Sequence, residues 1–76
     1  MKHDAILSDV PFVKVGWRAC GVIGEDSAKR FRDGQQVMTS PVVWVMVDGD
    51  KTYIRTQTTT YLVTKMHYKT ALDIDV

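Results

Sequence analysis

The sequence predicts a mainly β domain with one short helix, in which an antiparallel meander of four or five strands curls toward a small SH3-like barrel. Val, Ile and Thr make up 23 of the 76 residues, and these β-branched side chains favour a pleated sheet over a helix. An Asp-Gly pair at 48–49 separates two β-branched runs, which is typical of a hairpin. At 45% hydrophobic residues, a chain of 76 residues has material for one core, so residues 1–76 are predicted to form a single domain.

The N-terminal third is predicted to contain a lead-in and one long strand. Residues 1–11 end at Pro11, which favours extended backbone before it, and an edge strand is predicted over residues 5–7. Over residues 12–23 every second position is apolar or small, as in a strand with one buried face. The inward positions of this strand are Val13, Val15, Trp17, Ala19, Gly21 and Ile23. Gly16 and Gly21 indicate a bulge or a bend at a barrel corner.

A short helix is predicted over residues 26–32. Glu25 and Asp26 would lie at the positive end of its dipole, and basic residues follow at positions 29, 30 and 32. Phe31 is the predicted anchor of this helix in the core. Gly34 is predicted to end it, because glycine adopts left-handed backbone without steric cost.

Residues 37–64 are the densest β segment and are predicted to hold three strands. A strand over 42–47 pairs with one over 51–56 through the turn at 48–50, and a second turn near 57–59 leads into a strand over 60–66. At the C-terminal end, Leu72, Ile74 and Val76 alternate with acidic residues. They would line one side of a short strand, or else belong to a mobile tail.

Composition and charge exclude several classes of protein. The formal net charge is +1, from ten Lys and Arg against nine Asp and Glu, so the chain is neither a basic nucleic-acid arm nor an acidic disordered tail. Cys20 is the single cysteine and the start lacks a signal-peptide pattern, which together predict a reducing, cytoplasmic setting. The longest apolar run, 42–47, has six residues, whereas a membrane helix needs about 20. No membrane contact is therefore expected.

No pattern of catalytic or metal-ligating residues stands out. Cys20, His3 and His67 are isolated from one another in sequence, so we expect each to be structural or at the surface. No Ser or Cys has a His with an orienting partner at a supporting spacing. Residues 18–24 are rich in glycine before the predicted helix but lack the Gly-Lys-Ser/Thr of a phosphate-binding loop. We expect no enzyme, no metal and no cofactor.

One candidate surface combines basic and aromatic residues. From 51 to 69 the chain carries four basic residues and three tyrosines, and no acidic residue. Small barrels use such residues to bind single-stranded nucleic acid, by neutralising phosphates and stacking on bases. The candidates are Lys51, Tyr53, Arg55, Tyr61 and Lys65. The alternative is a solvated sheet face whose tyrosines cover lysine methylenes, and the near-neutral net charge favours it.

The second candidate surface is the strand over 42–47. Its side chains are apolar on both faces, and a domain of this size has difficulty covering both faces of a sheet. Trp and Met are also enriched at protein interfaces. The candidate interface residues are Val43, Trp44, Val45, Met46, Tyr53 and Tyr61. Alternatively, the predicted helix around Phe31 and the N-terminal segment cover this strand.

Part of the chain resembles small accessory proteins of bacteriophages and other mobile elements. The resemblance lies in Phe-Arg-Asp-Gly-Gln-Gln-Val-Met-Thr-Ser-Pro-Val at 31–42, Tyr-Ile-Arg-Thr at 53–56 and Thr-Tyr-Leu-Val at 60–63. In that pattern a helix ends in Phe-x-Asp-Gly, Thr-Ser precedes a strand, and a later Thr and Tyr-Leu close a hairpin. The match covers less than half of the chain and carries over no catalytic residue. The sequence departs from the pattern at Pro41, which removes a backbone donor where the strand begins.

The resemblance implies a protein that binds and occludes a host machine, such as an inhibitor of a restriction or CRISPR effector. Together with the apolar strand, it predicts a non-enzymatic protein-binding module whose partner is a host protein complex or a second copy of the chain. The competing prediction is a small β-barrel that binds single-stranded nucleic acid.

Overall fold

The computed structural model describes residues 2–66, which form one mixed sheet of six strands. The strands are β1 (Ala5–Val10), β2 (Arg18–Gly24), β3 (Gln36–Pro41), β4 (Trp44–Asp48), β5 (Lys51–Arg55) and β6 (Thr60–Met66). Their order across the sheet is β3-β2-β1-β6-β5-β4. β1 and β6 pair in parallel, whereas the other neighbouring strands are antiparallel. The mainly β prediction is confirmed. The prediction of a single meander of four or five strands is wrong, because β1 inserts beside β6 and joins two three-stranded meanders.

The sheet is strongly curled, because its two edge strands follow each other directly in the chain. Only Val42 and Val43 separate β3 from β4, and an extended chain spans about 10 Å from Pro41 to Trp44. The edge strands of a flat six-stranded sheet would lie about 24 Å apart. The sheet must therefore bend until the end of β3 meets the start of β4. This curl agrees with a sheet that bends toward a small barrel, and the SH3-like form of that barrel stays a prediction.

The core is built mainly from β1, β2 and the strands next to them. Its buried apolar residues are Ala5, Leu7, Val10, Val13, Ala19, Ile23, Val37, Val42, Ile54, Tyr61 and Val63. β4 contributes only Val45, which is half-buried against this cluster. The predicted strand over residues 5–7 is confirmed, but it is part of a central strand and not of an edge strand. β1 and its neighbours β2 and β6 thus supply most of the core, and β4 lies at its margin.

The predicted helix over residues 26–32 is wrong, because this segment forms turns. Glu25 and Lys29 have left-handed backbone, with φ of 49° and 54°, which an α-helix does not accept. The Asp26 carboxylate accepts hydrogen bonds from the N–H groups of Ala28 and Arg30. A side chain that binds nearby backbone donors offers an alternative to the helical ladder. Phe31 nevertheless packs against the core, as predicted.

The predicted long strand over 12–23 is only half right, because the strand begins at Arg18. A turn precedes it, in which the Trp17 N–H donates to the Lys14 carbonyl at 3.0 Å and Gly16 has a φ of +92°. Val13 is buried as predicted, but Val15 and Trp17 are exposed. Their alternation with polar residues therefore belongs to a turn and not to a sheet face.

The predicted hairpin between two β-branched runs is confirmed as β4 and β5. Asp48 lies opposite Lys51, so the turn has two residues, Gly49 and Asp50. Gly49 has a φ of +65°, which fits the first central position of a type II′ turn. The predicted final strand with Leu72, Ile74 and Val76 lies outside the described residues.

Candidate functional site

β4 is an edge strand, and within residues 2–66 no strand pairs with its open side. Val43, Met46 and Val47 on and beside it are 53%, 42% and 57% exposed. Trp44 and Val45 are half-buried. We call residues 43–47 the β4 edge. Its exposed side chains are all apolar, so contact with a partner would remove apolar surface from water.

The side chains of the β4 edge lie on both faces of the sheet. Val45 lies opposite Ile54, a core residue, so Val45 and Val47 share the face that carries the core. Trp44 and Met46 alternate with them and lie on the outer face. A partner that packs on one face of the sheet would therefore leave the apolar side chains of the other face in water.

The backbone of β4 also offers hydrogen bonds along its open side. The two-residue turn makes Asp48 and Lys51 a hydrogen-bonded pair, and such pairs alternate along an antiparallel ladder. The N–H and C=O groups of Met46 therefore point to β5, whereas those of Val45 and Val47 point away from it. An added strand would find donors and acceptors at these two residues.

The β4 edge lacks the features that usually protect an edge strand. Natural edge strands carry lysine, proline or a bulge, which prevent pairing with another chain. Residues 43–47 contain neither lysine nor proline, and from Trp44 to Asp48 the register with β5 runs without a shift. The other edge strand, β3, ends in Pro41 and exposes the polar Gln36 and Ser40. β4 is thus the edge better suited to receive a strand.

A groove of about 460 Å³ adjoins the β4 edge at the corner where β3 passes into β4. It is lined by Ser40, Pro41, Val43, Trp44, Arg55, Thr56 and Gln57. Arg55 is held in this groove, because its Nη1 donates to Thr60 Oγ1 at 2.8 Å. The groove places an indole ring and a guanidinium group together, with no acidic side chain in its lining. It could accept a side chain that has an apolar body and a carboxylate or carbonyl end.

Two exposed residues that the sequence interpretation placed inside the protein extend this apolar surface. Val15 is 51% exposed and Trp17 is 54% exposed. Val42 donates its N–H to the Trp17 carbonyl at 2.9 Å, so Trp17 lies beside the start of the β4 edge. The ring of Phe12 contacts Trp17 edge-on at 5.8 Å, and the Lys14 ammonium lies 5.2 Å from the indole. Pro11 and Gly16 are turn-forming residues, and they are the feature of the sequence that could have predicted the exposure of Val15 and Trp17.

Tyr53 and Tyr61 are predicted contact residues of both candidate surfaces, and the structure buries them at 3% and 4% exposure. Tyr53 lies between Met46 and Leu62 on neighbouring strands, and the ring of His3 is 6.4 Å away. Tyr61 belongs to the core. The prediction that these two rings are available to a partner is therefore wrong.

The basic candidates for nucleic-acid binding do not converge around an exposed ring. Lys51 and Arg55 lie on the outer face of β5, on the same side as Tyr53. Lys65 is exposed on β6 at a residue with left-handed backbone, φ 49°, which breaks the alternation of that strand. Because Tyr53 and Tyr61 are buried, their rings cannot stack on the bases of a nucleic acid while these basic side chains bind its phosphates.

An ion pair closes the loop between β2 and β3. Arg30 Nε lies 3.2 Å from the Asp26 carboxylate, and Arg30 Nη1 donates to Thr59 Oγ1 at 3.3 Å. The side-chain hydrogen bond from Arg30 lowers the pKa of Asp26, against the opposing effect of burial. The same bond raises the pKa of Arg30. Because these groups satisfy one another, we interpret the pair as a structural link between the loop and the β5–β6 turn.

The residues considered for metal binding stay apart in the described part of the chain. Among residues 2–66, no three His, Cys, Asp and Glu side chains are grouped so that they could hold a metal ion. Cys20 is a free thiol that is half-buried opposite Met38. His67 lies outside the described residues. No helix in the described part is long and apolar enough to cross a membrane.

Comparison of the chain with protein-family models, with curated proteins and with solved structures finds no match.

Proposed function

We propose that this protein is a non-enzymatic protein-binding module and that the β4 edge is its contact surface. One observation carries the proposal: an unprotected edge strand exposes apolar side chains on both of its faces. Monomeric proteins normally blunt such an edge, because it pairs readily with other chains. An edge that is left open and apolar is typical of a site where a partner binds.

Strand addition is the binding mode that fits the β4 edge. An extended segment paired with β4 would bind the backbone groups of Val45 and Val47, and its own side chains would cover both faces at once. In this mode main-chain hydrogen bonds provide affinity and side-chain pockets provide specificity. The groove between Trp44 and Arg55 is the nearest such pocket. The exposed Trp17 beside it adds a large aromatic contact, of the kind enriched at interfaces.

The resemblance to phage accessory proteins supplies the class of partner and the setting of the proposal. We propose that the protein acts in the cytoplasm, where it binds and blocks or modulates a host protein machine of the anti-defence or anti-CRISPR type. The resemblance supports this role, and the β4 edge supports protein binding in general. The two parts of the proposal therefore stand on separate observations.

Site-specific photo-crosslinking tests the contact surface. A photoreactive amino acid replaces Val47 on β4, and in a matched control it replaces Met38 on β3; the native residues are 57% and 64% exposed on opposite edge strands. Each chain is irradiated alone and in bacterial extract, with and without an excess of unlabelled wild-type chain. We expect position 47 to give a discrete protein adduct that the unlabelled chain suppresses, and position 38 to give none.

The result that contradicts the proposal is equally specific. If position 47 gives no suppressible adduct either alone or in extract, the β4 edge is not a contact surface. An equal adduct from position 38 also contradicts the proposal, because capture would then reflect exposure and not the chemistry of β4.

A further inference from the structure

We propose that residues 72–76 of this chain pair with the open side of β4 in the free protein and cover it until a partner strand displaces them. This regulation rests on the proposed function, because it concerns the same edge. Apolar residues alternate with Asp73 and Asp75 in this segment, which is the pattern of a strand with one apolar face. We call residues 72–76 the 72–76 segment. Its direction, its reach and its charges each match the open side of β4.

The path of the chain after β6 brings the 72–76 segment to β4 in an antiparallel direction. β4 and β6 run the same way, because each is antiparallel to β5 between them. Val47 and Val63 both lie opposite Thr52, so β6 continues to Met66, beyond the last residue of β4. A chain that turns back from there runs antiparallel to β4. Three strands joined by hairpins and a fourth that returns beside the first form a Greek key, a common arrangement in β proteins.

The connection from β6 is long enough for this path. Five residues, 67–71, join Met66 to Leu72, so their Cα atoms can lie up to about 20 Å apart. Three strand spacings, about 14 Å, separate β6 from the open side of β4. If Leu72 lies opposite Val47, it also lies three residues, or about 10 Å, back along the sheet from Met66. The straight line is then about 17 Å, which the connection can span.

In this register the 72–76 segment meets the free backbone groups of β4. Leu72 lies opposite Val47. Two residues further on, Ile74 lies opposite Val45. The N–H and C=O groups of both valines point away from β5, so they can pair with those of the segment. All four side chains then share the face that carries the core. A shift by one residue would turn the two aspartates to that face, where burial of a charge is costly.

The charges of the 72–76 segment match the outer face of β5. Lys51 and Arg55 are the basic residues of this face, and no carboxylate of residues 2–66 lies within 4 Å of either side chain. In the proposed register Asp75 lies opposite Trp44, in the row that continues to Arg55. The aspartates of the segment therefore add negative charge to the side of the sheet that carries these two cations.

The hairpin end of β4 selects this register over its neighbours. Asp48 lies opposite Ala71, with Lys69 and Asp73 on either side along the segment and Lys51 across the hairpin. The acidic residue of the two-residue turn lies beyond the paired positions. A shift by two residues would place Asp73 directly opposite Asp48, which is destabilising. The opposite shift would leave only three connecting residues, which span about 14 Å and cannot cover the path.

A covering segment in the same chain also accounts for the missing edge protection of β4. The segment would become the edge strand, and its two aspartates are the kind of outward charge that opposes further pairing. A segment tethered by a short connection acts at a millimolar effective concentration. A partner strand must therefore pair with β4 more tightly than the segment does, which excludes extended chains that match β4 poorly.

Amide hydrogen exchange of the full chain, followed residue by residue by NMR, tests the proposal. The N–H of Met46 is bonded to β5 in any case, whereas those of Val45 and Val47 are bonded only if a strand pairs with β4. We expect both valine amides to exchange about tenfold or more slowly than unpaired amides, because pairing must open before exchange. The rates should not change on dilution. Exchange at the rate of an unpaired amide, or protection that is lost on dilution, overturns pairing within the chain.

Two proline variants test the register. Ile74→Pro removes an N–H that points to β4, whereas Asp73→Pro, the matched control, removes one that points away, where an edge strand accepts proline. We expect Ile74→Pro to speed exchange at Val45 and Val47 about tenfold or more, and Asp73→Pro to leave it slow. Slow exchange at Met46 shows that each variant keeps the hairpin. Equal effects of the two variants overturn the register.

The photoreactive amino acid at position 47 separates this proposal from the proposed function. We expect Ile74→Pro to increase the suppressible protein adduct, because the edge is uncovered. An adduct that Ile74→Pro does not increase overturns the regulation. Unprotected amides at Val45 and Val47 together with an adduct overturn the covering segment and leave the β4 edge as a binding site. Protected amides without any adduct, even from Ile74→Pro, support the covering segment and contradict the proposed function.

Discussion

Gly21 lies where β1 and β2 approach so closely that a side chain would not fit. A methyl group at this position would lie 2.6 Å from the backbone carbonyl oxygen of Ser8, 3.0 Å from Leu7 Cγ and 3.1 Å from Val10 Cγ2. Ordinary carbon–oxygen contacts begin near 3.3 Å, so β1 would have to move by about 0.7 Å. Because the obstacle is backbone in the centre of the sheet, the neighbouring atoms cannot rotate away. We therefore expect Gly21→Ala to destabilise the fold.

Gly24→Ala on the same strand is the matched control. A methyl group at Gly24 meets nothing within 4 Å, and neither glycine has a φ in the left-handed region. Both substitutions reduce the entropy of the unfolded chain, which stabilises the fold by about 0.4–1 kcal/mol. Only Gly21→Ala adds the cost of overpacking, about 1–3 kcal/mol and expected at the upper end here. The difference between the two variants isolates the close approach of β1 and β2.

Urea denaturation followed by tryptophan fluorescence measures this difference. With an m-value of about 1 kcal/mol/M for a small domain, Gly21→Ala should unfold at a midpoint about 1–3 M below that of Gly24→Ala. The m-values should agree, since both variants expose the same surface on unfolding. Equal midpoints for the two alanine variants would refute the packing of β1 against β2, and with it the central place of β1 in the sheet.

Three further predictions address the loop, the hairpin and the core. Because the pKa of Asp26 is lowered in the folded state, its carboxylate stabilises the fold above pH 3.8, and this stabilisation is lost as the pH falls through the folded-state pKa. In urea titrations at a series of acidic pH values, the free energy of unfolding of Asp26→Asn should therefore fall less steeply with decreasing pH than that of the wild type. An equal pH dependence of the two proteins would contradict this prediction. Gly49→Ala should lower the free energy of unfolding by about 1 kcal/mol, measured against Gly24→Ala, because its φ is +65°; no loss would exclude the type II′ turn. Tyr61→Ala should cost about 3–5 kcal/mol in the same assay, and a cost below 1 would mean that the ring is not in the core.

The parts of the fold that were predictable depend on local chemistry. The hairpin of β4 and β5 follows from β-branched runs around a glycine that accepts positive φ. The apolar character of the β4 edge could also be read directly from residues 43–47. Its exposure is consistent with a strand too apolar for a small domain to cover on both sides.

The parts that were not predictable depend on contacts between distant residues or on competing local bonds. Ala5 lies opposite Tyr61 in the parallel pair of β1 and β6, and this non-local pairing buries a ring that a simple meander would leave near an edge. The segment after β2 has helix-forming residues, but the Asp26 carboxylate accepts from the Arg30 N–H, which in a helix would donate to the Asp26 carbonyl. Trp17 was assigned to a buried face because a turn can imitate the alternation of a strand.

Within residues 2–66, the open side of β4 is a consequence of the link between the two edge strands. To close the sheet into a barrel, β3 and β4 would have to pair with each other beyond their corner. The backbone at the corner is already committed: Val42 donates to Trp17 at the start of β2, and Val43 donates to Arg55 at the end of β5. These bonds fix β3 to one meander and β4 to the other. The edge of β4 is therefore built into the fold, and a partner strand could pair with it without breaking any of the ladders that hold the six strands together.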